Sequence, residues 1–429
     1  MKKKYRIILY TSIFLLCVVA SIILVVKKSN SVYEEESKPK VVKHKSMLSM
    51  NLEQTAGSGD YKTVTQSKWP TEGYKFNAEL SRCENGSTLS WDDTKKAVIV
   101  SGNLSDKCYV YFDIYQPTLA EYIKSQYTGT QGENNIYYHD SDLANGAGDN
   151  SYRYAGANPN NFVCFGTTES PCPTDNLYRI IGVFGENYHG VTGKQLVKLI
   201  KYDYMTTDEL GTDGDYSQTY KEWGMDSTYK GTYGDGERIG VYYWNYKATG
   251  SATNTWSTSL LNKTNLNTNF INNIGTTWAN KIATVTWKVG GNTWANIGTK
   301  TSSVAYTNEI TNPVTTNTTD NATTYSAKIG LMYVSDYGFA ASPDAWTLTM
   351  SSYNNTTATN NNWMYMGLYE WTISRYADNS NYAFYVYGVG SVDSNFVSDY
   401  YGVRASFNLE SSVSYVSGSG SMSDPIVIN

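Results

Sequence analysis

The stretch 369–407, YEWTISRYADNSNYAFYVYGVGSVDSNFVSDYYGVRASF, holds the densest set of side chains that could do chemistry, and that chemistry is recognition. Between Arg375 and Arg404, tyrosines are interleaved with Asn, Ser, Asp and Gly. Rigid amphipathic rings set among small hydrogen-bonding groups give large contact area at low entropic cost. The candidate ligand-binding residues are Trp371, Arg375, Tyr376, Asn379, Tyr382, Tyr385, Tyr387, Asp393, Asn395, Asp399 and Tyr400. In a strand, Tyr382, Phe384 and Val386 would alternate with Ala383, Tyr385 and Tyr387, leaving one tyrosine-bearing face for the surface. The same text also reads as a core hairpin of a tyrosine-rich protein, and the residues alone leave both readings open.

Bond-making chemistry has no comparable signature. The chain contains no G-x-S-x-G, H-E-x-x-H, C-x-x-C or EF-hand pattern, and the fragment Gly190-Val-Thr-Gly193-Lys194 lacks the glycine spacing of a phosphate loop and ends in Gln195. Of three histidines, His44 falls in linker text, while His139 and His189 fall in Tyr/Asn-rich text that reads as surface loop. The acidic turns Asp140-Ser-Asp142, Asp213-Gly-Asp215 and Asp235-Gly-Glu237 could offer oxygen ligands to Ca²⁺, or be ordinary turns in which Asp caps its own backbone. No catalytic residue and no metal set is assigned, and no cofactor is expected. A hydrolase with two carboxylates converging across a cleft is compatible with the sequence but not promoted by it.

Composition narrows the partner. Net charge is −5, and Lys2, Lys3, Lys4, Arg6, Lys27 and Lys28 are concentrated at the N-terminus, so the remainder is more acidic still. Such a surface argues against nucleic acid, whose binding runs on clustered Lys and Arg. There are 39 Tyr and 11 Trp against 11 Phe, so the aromatic excess lies in rings that carry a polar handle. Charged residues are only 17%, with Asn, Thr, Ser and Gly in their place, as in many adhesive or wall-associated proteins.

The elements that must position these residues follow in series. Residues 7–26 are twenty consecutive uncharged residues, enough at about 1.5 Å per residue to cross a bilayer core of roughly 30 Å. With more basic residues before than after, this segment reads as a single-pass signal anchor with a cytoplasmic tip at 1–28, and everything beyond lies outside the cell. Cys17 falls mid-segment, as a lipid-facing thiol. Residues 29–60 read as a charged stalk. Residues 61–116 show short alternating runs between Gly, Asn and Asp turns, the pattern of a small β-sandwich-like module. In an oxidising compartment Cys83 would be expected to join Cys108 across it, and Cys164 its neighbour Cys172. From residue 117 the main domain begins with a capping box, Thr118 to Glu121, before TLAEYIKSQY. Runs 177–185, 194–204, 239–244, 328–335 and 402–409 read as strands, the first two as a hairpin, with one or two helices between Trp256 and Ile282. Residues 299–326 read as a Thr/Asn-rich surface insertion.

WSTSLLNKTNLNTNF (256–270), KIGLMYVSDYGFA (328–340), YEWTISR (369–375) and GVRASFNL (402–409) resemble a widespread bacterial domain of unknown function. That domain is similar to the C-type-lectin-like fold also used by formylglycine-generating enzymes. In it a tryptophan-bearing strand ends in an arginine, here Trp371 and Arg375, and a G-V-R-P segment returns to the core, here Gly402-Val403-Arg404 with Ala405 in place of proline. The resemblance covers residues 117–429. It implies a binder that displays variable residues before the terminal segment. The enzymatic branch binds copper through two late cysteines, and this chain has none after Cys172. The Cys83-Glu84-Asn85-Gly86 turn is similar to text in exported proteins of low-GC bacteria. The expectation is therefore an α+β, β-rich protein. Its parts would be a transmembrane helix, a small β module and a C-type-lectin-like domain with one to three helices and a mixed or antiparallel sheet. Its expected role is cell-surface binding or adhesion toward a glycan or protein. A polysaccharide hydrolase and a structural envelope component are the alternatives.

Overall fold

Alternation of apolar and polar residues builds the N-terminal unit. The computed structural model describes residues 48–429 apart from 66–67, 71–72, 104, 225–228, 235–237, 314–322 and 355, and the chain divides into compact units at Gln116 and Pro117. In the first unit strands β1 (Leu48–Glu53), β2 (Tyr61–Val64), β3 (Tyr74–Cys83) and β6 (Cys108–Ile114) form a sheet of order β2-β1-β6-β3, and β4 (Thr88–Asp92) pairs with β5 (Ala97–Ser101) as a hairpin. Met50, Leu52, Val98, Val110 and Phe112 fill its core. Leu48–Glu53 corrects the stalk assignment: Met50 and Leu52 face this core, and the buried Glu53 carboxylate accepts the Ile114 and Gly59 N–H groups at 3.0 and 3.1 Å. Cys83 and Cys108 are cross-strand partners and form a disulfide spanning 25 residues. Replacing both with serine is expected to lower this unit's stability by about 3 kcal/mol, from the loop entropy returned to the unfolded chain. Denaturant unfolding followed at the unit's own tryptophans checks it.

The second unit opens with α1 (Leu119–Ser125), capped as its sequence specifies: Thr118 Oγ1 accepts the Glu121 N–H and Glu121 accepts the Thr118 N–H. Five strands follow in chain order, β7 (Ile136–His139), β8 (Ser151–Tyr154), β9 (Phe162–Cys164), β10 (Leu177–Phe184) and β11 (Leu196–Lys201). Every residue of β10 and β11 is buried, because helices and loops cover both faces of the hairpin. The later strands are β12 (Glu222–Gly224), β13 (Arg238–Gly240), β14 (Tyr242–Tyr243), β15 (Val285–Lys288), β16 (Gly291–Asn292), β17 (Thr324–Ala327) and β18 (Ile329–Gly330). The C-terminal third adds β19 (Glu370–Tyr376), β20 (Tyr382–Val386), β21 (Val392–Phe396), β22 (Tyr400–Tyr401), β23 (Ser406–Asn408), β24 (Tyr415–Ser417) and β25 (Val427–Ile428). A central antiparallel sheet runs β18-β23-β11-β10-β8-β7 with β9 beside β10, and a second runs β16-β19-β20-β21. Cys164 and Cys172 form the second disulfide.

Several expectations are corrected. No helix among the described residues is long and apolar enough to cross a membrane, so the transmembrane helix expected in the fold is not found, and the segment 7–26 that suggested it lies outside the described residues. Helices are shorter and more numerous than the expected one to three. Besides α1 they include a wide-turned segment Leu261–Phe270 that continues as Ile271–Ala279, α2 (Ser302–Tyr306), α3 (Val334–Ala340) and several single turns. The 299–326 insertion is only partly surface, since α2 and the turn after it bury Tyr306, Glu309 and Ile310. Residues 328–335 form a two-residue strand and then enter α3, every residue of which is buried.

His139 and His189 are buried rather than on the surface. His139 is wholly enclosed against Phe339 and Trp346, and its Nδ1 accepts the Ala147 N–H at 3.1 Å. Burial holds its imidazole well below the usual histidine range. The unfolded chain therefore takes a proton that the folded one refuses. Stability is constant above the unfolded value near 6.5 and is lost as pH falls beneath it, by up to about 1.4 kcal/mol per pH unit. Denaturant midpoints at successive pH values between 7 and 5 are expected to fall with this slope contribution, and His139→Gln to flatten it.

Candidate functional site

The second sheet and two short ribbons gather the aromatic residues of the C-terminal stretch. Along β19, β20 and β21 the odd-numbered side chains share one face: Tyr369 and Trp371, then Ala383, Tyr385 and Tyr387, then Asp393 and Asn395, with Trp371 opposite Tyr385 and Tyr385 opposite Asp393. The β14–β22 pair sets Tyr400 and Tyr401 over this face, and the β12–β13 ribbon adds Trp223. Trp371 and Tyr385 thereby become a floor, at 0% and 4% exposure. Tyr401 stacks on Tyr385 at 4.7 Å and on Tyr369 at 5.3 Å, and meets Trp371 at 4.5 Å.

Above the floor lies a partly exposed shelf of rings. Tyr220, 54% exposed, stacks on Tyr400 at 3.8 Å, and Trp223 stands edge-on to Tyr369 and Tyr400 at 5.6 and 6.1 Å. Tyr387 meets Tyr369 edge-on at 4.6 Å. Burial, and next the Tyr387 hydroxyl, push Tyr369 up to about 12, so the Tyr369 hydroxyl remains a neutral donor across the physiological range. Polar groups border the rings. Asn395 donates to the Tyr401 hydroxyl at 2.7 Å, exposed Asp393 projects from β21, and Asp399, lifted by burial, is hydrogen-bonded to Tyr401 and Asn395. The turn after Tyr387 is pinned by Tyr365 and Tyr337, whose hydroxyls donate to the Gly388 and Gly390 carbonyls at 2.7 Å each. Gly390 sits at φ +99°, and a Cβ there would meet Thr359 Cγ2 at 2.4 Å. No larger residue fits without moving the turn.

The eleven residues singled out in the sequence do not form one surface. Tyr387, Tyr400, Asp393, Asn395 and Asp399 border the shelf. Trp371, Tyr385 and Arg375 are core, and as exposed contact residues they are corrected. Arg375, opposite Ala383, is buried and donates from Nε to the Val289 carbonyl at 2.8 Å, and burial lowers it to about 10. Tyr376 and Tyr382 pack together at 6.0 Å beyond the end of the shelf, with Phe396 at 4.4 Å from Tyr382. Exposed Asn379 caps its own turn through the Asn381 N–H. Tyr369 and Tyr401 lie in the same stretch without having been picked out, and Tyr220 and Trp223 were missed because only long-range pairing and packing bring them to the site.

The described acidic turns that suggested Ca²⁺ accept backbone hydrogen bonds, local at Asp140 and long-range at Asp215. Asp140 accepts the Asp142 and Leu143 N–H groups, and buried Asp215 accepts those of Tyr246 and Leu261, while Asp235 and Glu237 lie outside the described residues. Among the described residues no three His, Cys, Asp or Glu side chains gather as metal ligands would. No protein-family model, no curated protein and no solved structure matches this chain.

Proposed function

We propose that this chain is an exported binding protein whose C-terminal unit recognises a glycan on the Tyr220–Trp223–Tyr369–Tyr387–Tyr400 shelf. The observation that carries the reading is a set of stacked, half-exposed rings bordered by the acceptors Asp393 and Asn395. A pyranose offers an apolar C–H face to such rings and hydroxyls to such acceptors. Rigid aromatic anchors edged by a few placed polar groups are the usual composition of a recognition site. The resemblance of residues 117–429 to a C-type-lectin-like domain supports the same reading. Export is supported by the two disulfides, which persist in oxidising compartments.

Glycan and protein arrays probed with the purified chain, with and without Ca²⁺, test this. The expected result is binding to a subset of neutral or basic glycans that is unchanged by chelator. Binding confined to the protein array would overturn the glycan assignment, and no binding on either array would overturn the recognition reading.

A further inference from the structure

Between a strand of the central sheet and α3 lies a buried amine–carboxyl pair. Lys198 Nζ on β11 is 2.7 Å from Asp336 Oδ2 on α3, and both side chains have 0% exposure. The Tyr188 hydroxyl touches both partners, 2.6 Å from Nζ and 2.7 Å from Oδ1. Asp336 Oδ2 also accepts the Tyr333 backbone N–H at 3.0 Å. The rings of Tyr333, Tyr188 and Trp287 surround Nζ at 4.5, 4.9 and 4.9 Å. Glu309 is buried over the first turn of the same helix, accepting the Val334 and Ser335 N–H groups.

We propose that this pair is the site of an intramolecular amide bond between Lys198 and Asp336. An ion pair stripped of water carries a large desolvation cost, which is removed when a proton moves from the ammonium to the carboxylate. Burial outweighs the opposing charge and hydrogen bond of Asp336 and, with the charge of Arg153, holds the Lys198 amine below its usual range, which favours the neutral nucleophile. The amine then stands in contact with the carboxyl it would attack, the arrangement that gives intramolecular reactions their high effective concentrations. In the step, Nζ forms a bond to Asp336 Cγ, and the negative charge that develops on Oδ2 is met by the Tyr333 N–H. Tyr188 passes two protons from Nζ to Oδ1, one before the attack and one after it, the Cγ–Oδ1 bond breaks, and Oδ1 leaves as water. An ammonium and a carboxylate thus become one amide and one water, with no oxidant, reductant or co-reactant. The apolar cage keeps water from reversing the step. The link would tie β11 to α3 across 138 residues.

The test is the intact mass of the full-length chain, reduced and denatured so that folding does not bear on the reading. The wild-type chain is expected to weigh less than its sequence by one water, and Lys198→Arg and Asp336→Ala chains to weigh the full sequence mass. A protease digest should contain a branched peptide joining the Lys198 and Asp336 segments. Tyr188→Phe is expected to leave a fraction of chains unlinked. A wild-type chain at the full sequence mass, with no branched peptide, would overturn the proposal and leave an ordinary buried ion pair. Complete linkage in Tyr188→Phe would remove the tyrosine from the step.

Discussion

Arg404→Ala is expected to destabilise the C-terminal unit by roughly 3–5 kcal/mol, the cost of leaving a buried charge without its partner. Arg404 is 1% exposed and meets Glu370 through two bonds of 2.8 Å, from Nε to Oε1 and from Nη2 to Oε2. Its Nη2 also donates to the Met364 carbonyl at 2.7 Å. Glu370 stands between Tyr369 and Trp371 on β19, so the pair fixes the strand that carries the shelf and its floor. Removing the guanidinium strands the Glu370 carboxylate at 2% exposure. Replacing both residues with leucine is expected to recover much of the loss, since a buried pair stabilises little relative to apolar residues of similar volume. Urea denaturation of the two variants checks it. A loss under about 1 kcal/mol for Arg404→Ala would show that the site takes in water.

Trp371→Ala is expected to be about as severe, roughly 3–5 kcal/mol, as for other large aromatic residues removed from a core. The indole is fully buried, packs on Tyr401 at 4.5 Å and donates from Nε1 to the Tyr242 carbonyl at 2.9 Å. Its loss opens a cavity under the shelf and removes the indole's hydrogen bond to that carbonyl. Tyr385→Ala should follow in the same direction, at 4% exposure. Tyr220→Ala, by contrast, removes a ring that is 54% exposed and should leave the denaturation midpoint nearly unchanged. Comparable losses for Trp371 and Tyr220 would contradict the division into floor and shelf.

What the sequence made legible was local. The hairpin at 177–204 is announced by two apolar runs around a Gly-rich turn, and the start of α1 by Thr118 and Glu121. The close spacing of Cys164 and Cys172 foretold their pairing. Period-two alternation also sorted Tyr385 and Tyr387 correctly onto one face. It could not show what covers that face. Tyr401 and Trp223 arrive through the β14–β22 and β12–β13 pairings, which join segments that share no local signal. A face that looked solvent-directed is therefore half core. Leu48–Glu53 was hidden for a related reason, since LSMNLE carries only Leu48, Met50 and Leu52 toward a core whose other wall lies some sixty residues on. Lys198 and Asp336 gave no sign at all, because each is a single charge inside an apolar run and only the fold makes them neighbours.

The central claim is that the exposed rings, and not the floor beneath them, recognise the ligand. The most direct measurement is glycan affinity and melting temperature taken together for the wild-type chain and the Tyr220→Ala/Tyr400→Ala double variant. The account predicts a loss of affinity of roughly tenfold or more, as for hot-spot rings, with the melting temperature nearly unchanged. Undiminished binding by the double variant, or loss of binding only in step with loss of the fold, would contradict it.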